Sequence, residues 1–205
     1  MPSPVEAILF DFDGVLADTE PLHYECWSEV LRPLGMSLTW EDYAEHCIGI
    51  SDREFLETLG RVATPPRGID ELWPLYPLKK KLLAERAVTG NLISGETKEL
   101  LQSLAGVPLA VVTSSSRLEI SAILLAEKVL DLFQVAVYGD EVANLKPHPE
   151  PYLTAMARLG VGGAVALEDS RSGIRSARAA GCEVTEVGHP GEVPRLVRER
   201  LGLVA

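Results

Sequence analysis

From residue 95 onward the chain alternates short apolar runs with helical stretches, and this alternation limits its fold more than any other feature. Helical patterns cover roughly 96–104, the stretch after Arg117, 150–159, 173–180 and 193–200. Apolar runs at 108–113, 135–138, 164–167 and 183–187 lie between them. Strands separated by helices run parallel, in a sheet covered on both faces, so the expected class is α/β. An earlier apolar run, 5–10, ends abruptly in Asp11-Phe12-Asp13-Gly14, as a buried strand entering a turn does. Between 20 and 88 only helical patterns occur. Thr39 and Ser51 stand at helix N-cap positions, Ser51 and Glu54 have capping-box spacing, and Pro65-Pro66-Arg67-Gly68 divides the block. At 205 residues, one core carrying a smaller helical insert is the expected organisation.

Open parallel sheets bind ligands outside the carboxyl ends of their strands. Asp11 and Asp13 follow the first predicted strand, Ser114 the second, and Glu168-Asp169-Ser170 the fourth, with Lys146 in the loop region after the third. Four distant segments are thereby expected to converge on one crevice. Asp11 is suited to attack phosphorus, and Asp13 to protonate the leaving oxygen and later activate water. Magnesium prefers oxygen ligands, which Asp11, the main-chain carbonyl of Asp13 and Asp169 supply, with Glu168 as a further candidate. Lys146 would hold Asp11 and the transferring oxygens by charge. Ser114 and the backbone N–H of Ser115 would bind the other phosphate oxygens.

Composition narrows the partners. Thirty Asp and Glu against 19 Lys and Arg give a formal net charge of −11, which disfavours nucleic acids and anionic membranes. No apolar run reaches the roughly 18 residues of a membrane helix. Met1-Pro2-Ser3-Pro4 is not followed by a signal-like pattern, and Cys26, Cys47 and Cys182 lack metal-ligand spacing. Reduced buried thiols and a cytoplasmic location are expected, while oligomeric state leaves no mark in the pattern.

Asp11-Phe12-Asp13-Gly14-Val15-Leu16-Ala17-Asp18-Thr19-Glu20 resembles the opening motif of the haloacid dehalogenase superfamily. Thr113-Ser114-Ser115 resembles its second motif, Lys146-Pro147 its third, and Glu168-Asp169-Ser170-Arg171-Ser172-Gly173-Ile174 its fourth. The resemblance implies a Rossmann-like core formed by 1–18 and 89–205 and an α-helical cap formed by 19–88 that selects the substrate. Within the superfamily the chain is similar to the branch holding β-phosphoglucomutase and small phosphosugar phosphatases. That branch implies a substrate-binding role for His23 and a small phosphorylated metabolite, a sugar phosphate, as substrate.

Asp13 argues against dehalogenation, which lacks the second aspartate. Two other readings stay open, a sugar phosphomutase and a catalytically silent phosphate-binding module. Mutases of this type carry Lys-Gly-x-Ser-Arg in the cap, whereas this chain reads Ile48-Gly49-Ile50-Ser51-Asp52. The missing basic residues favour hydrolysis. Arg117 is read either as a surface residue or as a reach to a distal substrate anion, Asp169 as a helix cap in addition to a metal ligand, and Ser116 as a helix cap. Lys79-Lys80-Lys81 reads as a solvated helix face, and His46, His148 and His189 as loop or surface residues.

Overall fold

The computed structural model describes residues 5–203 apart from 49 and 90. The elements run β1 Ile8–Phe10, α1 Glu20–Leu31, α2 Trp40–His46, α3 Asp52–Val62, α4 Ile69–Leu72, α5 Leu75–Ala87 and α6 Gly95–Ser103. They continue with β2 Leu109–Val112, α7 Arg117–Ala126, β3 Val135–Val137, α8 Glu150–Leu159, β4 Val165–Glu168, α9 Arg171–Ala179, β5 Glu183–Glu186 and α10 Val193–Arg200. The described residues divide into two compact units, one within 1–19 and 90–205 and the other within 20–89. No helix among them is long and apolar enough to cross a membrane.

In the first unit the five strands form one parallel sheet in the order β3-β2-β1-β4-β5. Leu9 of β1 stands in register with Ala110 of β2 on one side and Ala166 of β4 on the other. All three are fully buried, because helices leave neither face of a parallel sheet to water. The edge strand β5 is guarded instead by charge, with Glu183 paired to Arg200 at 2.6 Å and Glu186 to Arg178 at 2.8 Å. From β1 the chain builds outward to β3 on one side and then to β5 on the other. The strand order changes direction between β1 and β4, and the loops that follow these two strands border the crevice at their carboxyl ends.

Two local readings change. Glu168 is the last residue of β4, and α9 begins at Arg171, two residues before the expected start. Ser170 is its N-cap, accepting from the Gly173 N–H at 3.0 Å, so Asp169 is left free of capping. Ser116 does stand at the N-cap of α7, but its hydroxyl bonds Glu119 at 2.6 Å. The α7 N-terminus is satisfied by Asp140, which accepts from the Arg117 N–H at 3.1 Å.

The second unit holds α1 to α5 around Trp27, Leu31, Tyr43, Phe55, Leu56 and Leu72. Thr39 and Ser51 cap α2 and α3 by accepting from the N–H groups of Asp42 and Glu54, at 3.1 and 3.2 Å. Lys79 is not solvated: it is 1% exposed. Its ammonium meets Asp52 at 3.2 Å and His23 Nδ1 at 2.9 Å, and lies 5.5 Å from the centre of the Trp27 ring. Trp27 Nε1 donates to the same Asp52 oxygen at 2.9 Å. Three consecutive lysines cannot share one helix face, since each residue turns about 100°, so one of the run enters the core. Lys81 alone of the three is exposed.

Asp52→Ala strands the buried Lys79 charge and the Trp27 indole. Unfolding of this unit in urea is expected to show a loss of about 3 kcal/mol, the low end for breaking a buried pair, because the Asp52 side chain keeps 29% of its exposure. A loss below about 1 kcal/mol, the range of a surface pair, would contradict this account.

Candidate active site

Asp11 continues β1 by one residue, donating its N–H to the Leu167 carbonyl at 3.0 Å. The chain then closes on itself: the Phe12 carbonyl accepts from Leu16 and Ala17, each at 3.0 Å, and the Gly14 N–H reaches Ala17. Gly14 has φ 73°, and a β-carbon there would overlap the Asp169 carboxylate. Glycine is needed at this position for both reasons, and it lets the β4 loop approach the β1 loop. Gly173 serves Glu168 in the same way, since a β-carbon on it would fall on that carboxylate.

Lys146 enters from the loop after β3. Its ammonium donates to Asp11 Oδ1 at 2.8 Å, Glu168 Oε1 at 2.6 Å and the Val112 carbonyl at 2.8 Å, so three donors meet three acceptors. Glu168 is fully buried and also accepts from the Tyr152 hydroxyl at 2.5 Å and the Ser170 hydroxyl at 3.2 Å. Asp13 accepts from the Thr19 hydroxyl at 2.7 Å and the Ser115 hydroxyl at 3.1 Å.

One oxygen each of Asp11, Glu168 and Asp169 lies within 4.8 Å of the others. Crowding shows in their acidity. Burial pushes the Asp11 carboxyl well above its usual range, Lys146 opposes this, and Glu168 adds to it. Asp169 is pushed up to about 6, first by burial against its neighbours and then by Glu168, although the residue as a whole is exposed. Burial works against the Lys146 charge, but Asp11 and Glu168 outweigh it and raise its pKa. Lys146 pairs with two of the three carboxylates, Asp11 and Glu168. The excess negative charge and the all-oxygen donor set fit a hard divalent cation such as magnesium.

The structure thus brings Asp11, Asp13, Ser115, Lys146, Glu168 and Asp169 together. Ser114 lies exposed at the carboxyl end of β2. The Ser115 N–H, expected to face phosphate, is donated to Thr113 Oγ1 at 3.0 Å, and the residue reaches the cluster through its hydroxyl instead. Arg117 is engaged elsewhere: its guanidinium pairs with Glu141 and stacks 4.7 Å from the Tyr138 ring centre. His23 belongs to the helical unit, beside Lys79.

Thr19 and Tyr152 were missed by sequence reasoning. Thr19 sits inside the opening motif, where its hydroxyl was a usable signal. Tyr152 had none, since an aromatic residue in the first turn of a helix reads as core. Burial first and Glu168 second push its phenol well above the usual range, which keeps it a proton donor.

The sequence model of haloacid dehalogenase-like hydrolases matches residues 8–187. A phosphorylated carbohydrates phosphatase of Thermotoga maritima is 34% identical over 181 residues, 87% of this chain and 83% of the relative. The β-phosphoglucomutase of Bacillus subtilis is 28% identical over 191 residues, 90% of this chain and 84% of the relative. The crystal structure of CbbY from Rhodobacter sphaeroides in complex with phosphate aligns with a TM-score of 0.70 at 32% identity, covering 89% of this chain and 87% of that one. With the parallel sheet and its crevice already described, these likenesses place the chain in the haloacid dehalogenase-like hydrolase family.

Proposed function

We propose that this protein is a magnesium-dependent phosphatase that hydrolyses a small phosphorylated metabolite, a sugar phosphate, through an aspartyl-phosphate on Asp11. The observation that carries this reading is the buried Asp11 carboxylate, held on one oxygen by Lys146 and grouped with Glu168 and Asp169 at the strand ends. The likeness to a phosphorylated carbohydrates phosphatase supports the substrate class, and the likeness to a phosphate-bound CbbY supports phosphate as the group recognised.

In this reading Lys146 fixes Asp11 Oδ1, which leaves Oδ2 to attack phosphorus while the bond to the ester oxygen breaks. Asp13 gives that oxygen a proton and then takes one from the water that cleaves the aspartyl-phosphate. Its two partners suit both tasks, because the Thr19 and Ser115 hydroxyls each donate to a carboxylate and, once turned, accept from a carboxylic acid. Lys146 also offsets charge on the transferring oxygens. Ser114 is assigned to those oxygens, and the Ser115 N–H would join it on leaving Thr113. Asp11, the Asp13 carbonyl and Asp169, with Glu168 as a further carboxylate, would hold a magnesium ion, which when bound neutralises charge on the phosphoryl group.

The helical unit is given the role of substrate selection, with His23 as a contact. Arg117 would have to leave Glu141 to serve as another. The likeness to β-phosphoglucomutase keeps a mutase as the second reading. Two observations weigh against it. Asp52, at the position of the mutase arginine, is bound to Lys79 and Trp27, and Arg53 is paired with Glu57 at 3.1 Å and lies over Trp73. Neither supplies a spare cation to hold a second phosphate. Gly49 of the same motif lies outside the described residues. Converting this segment by Asp52→Arg would set a guanidinium against the buried Lys79, so that exchange alone is not expected to create a mutase.

Asp11→Asn is expected to fold and to lose on the order of 10⁴-fold or more in kcat, as removal of a covalent nucleophile does. Steady-state assay with a phosphate-release readout checks this, and a folded variant with substantial turnover would rule out the covalent path. Chelation should abolish activity and added magnesium restore it. Asp169→Ala should raise the magnesium concentration needed by roughly 100-fold, read from a metal titration of the rate. Full turnover in chelator would refute metal dependence. Supplied with an anomeric sugar phosphate, magnesium and a trace of the matching bisphosphate, the protein should release inorganic phosphate faster than it forms the isomeric sugar phosphate. Phosphorus NMR of the products decides, and predominant isomerisation would put the mutase in place of the phosphatase.

A further inference from the structure

The charge centre of the catalytic unit contains one group to which the reaction assigns no task. Tyr152, in the first turn of α8, is fully buried. Its hydroxyl donates to Glu168 Oε1 at 2.5 Å, the same oxygen that accepts a hydrogen bond from the Lys146 ammonium at 2.6 Å. Its ring lies 5.1 Å, centre to nitrogen, from the Lys146 ammonium. Tyr152 thus touches both partners of the pair that faces Asp11, its hydroxyl on Glu168 and its ring beside Lys146.

We propose that Tyr152 is a positioning residue of the catalytic site, whose hydroxyl shares Glu168 Oε1 with Lys146 and thereby keeps the ammonium directed at Asp11. The physical basis is competition for one acceptor. A carboxylate oxygen that receives two strong donors binds each less tightly than it would bind one. With the phenol present, Lys146 divides its three protons among Glu168, the Val112 carbonyl and Asp11. Without it, Glu168 Oε1 would have the ammonium to itself and would draw it from Asp11, while the Ser170 hydroxyl holds the other oxygen in place. The aromatic face supplies the second half of the device, because it offers the cation a surface that carries no competing acceptor.

The inference rests on Asp11 as the nucleophile, and its test separates the two claims. Tyr152→Phe keeps the ring and removes only the donor. With p-nitrophenyl phosphate and magnesium its kcat is expected to fall about tenfold, less than a whole charge-assisted hydrogen bond can carry, while KM and the magnesium requirement change by less than about threefold. A purely structural role would lower the melting temperature and leave this split unmoved. In a Glu168→Gln background, Tyr152→Phe should have no further effect on kcat, since the phenol acts through that carboxylate. The crystal structure of Tyr152→Phe, which needs no turnover, should show Lys146 Nζ still bonded to Glu168 but beyond about 3.2 Å from Asp11. Should the Phe variant not fold, 3-fluorotyrosine placed at 152 keeps the ring with a stronger donor and should hold kcat at or above the unaltered value. Wild-type kcat in Tyr152→Phe, equal losses with and without Glu168, an unmoved Lys146, or a loss in the fluorotyrosine protein would each overturn the proposal. Absence of hydrolysis by the unaltered protein would count against the phosphatase reading instead, and the position of Lys146 in the variant would still decide the role of Tyr152.

Discussion

The Lys146 ammonium is the contact on which the catalytic unit depends. It joins Asp11 at the end of β1, the Val112 carbonyl at the end of β2 and Glu168 at the end of β4, from a loop that follows β3. A charge so deeply buried is tolerated only where each of its donors finds an acceptor and opposite charge stands in contact. Both conditions hold here. The arrangement also restrains Asp11, which would otherwise face Glu168 and Asp169 with no positive group between them.

Such crowding of carboxylates requires backbone that can approach unusually closely. Gly14 admits the Asp169 carboxylate, and Gly173 admits that of Glu168. The two glycines lie on different loops, but they serve one geometry, the convergence of β1 and β4 where the strand order changes direction. Larger residues at either position would push the carboxylates apart. The site is therefore shaped by what is missing from the backbone as much as by the acidic side chains.

In the helical unit the same rule is applied to a different end. Lys79 is buried and balanced by Asp52, with His23 and Trp27 completing its surroundings. Asp52, itself part-buried, is consequently tied to the packing of that unit. Absence of a basic residue at this position is tied to the packing of a lysine, so the difference from a mutase segment is more than one exchangeable side chain. That connection strengthens the hydrolytic reading.

The sequence by itself determined the order of strands and helices, the capping of α2 and α3, and the set of residues at the strand ends. These features are local: apolar periodicity, capping hydroxyls and turn residues act within a few positions. Only the tertiary structure decided the fate of side chains whose partners are remote. It buried Lys79 against Asp52, 27 residues away, and turned the Ser115 hydroxyl toward Asp13 across 102 residues. It also drew Arg117 to Glu141 and set Tyr152 on Glu168. A lysine or tyrosine looks the same in sequence whether water or a carboxylate receives its proton. The choice is made by desolvation, which exists only once distant segments have closed around the group.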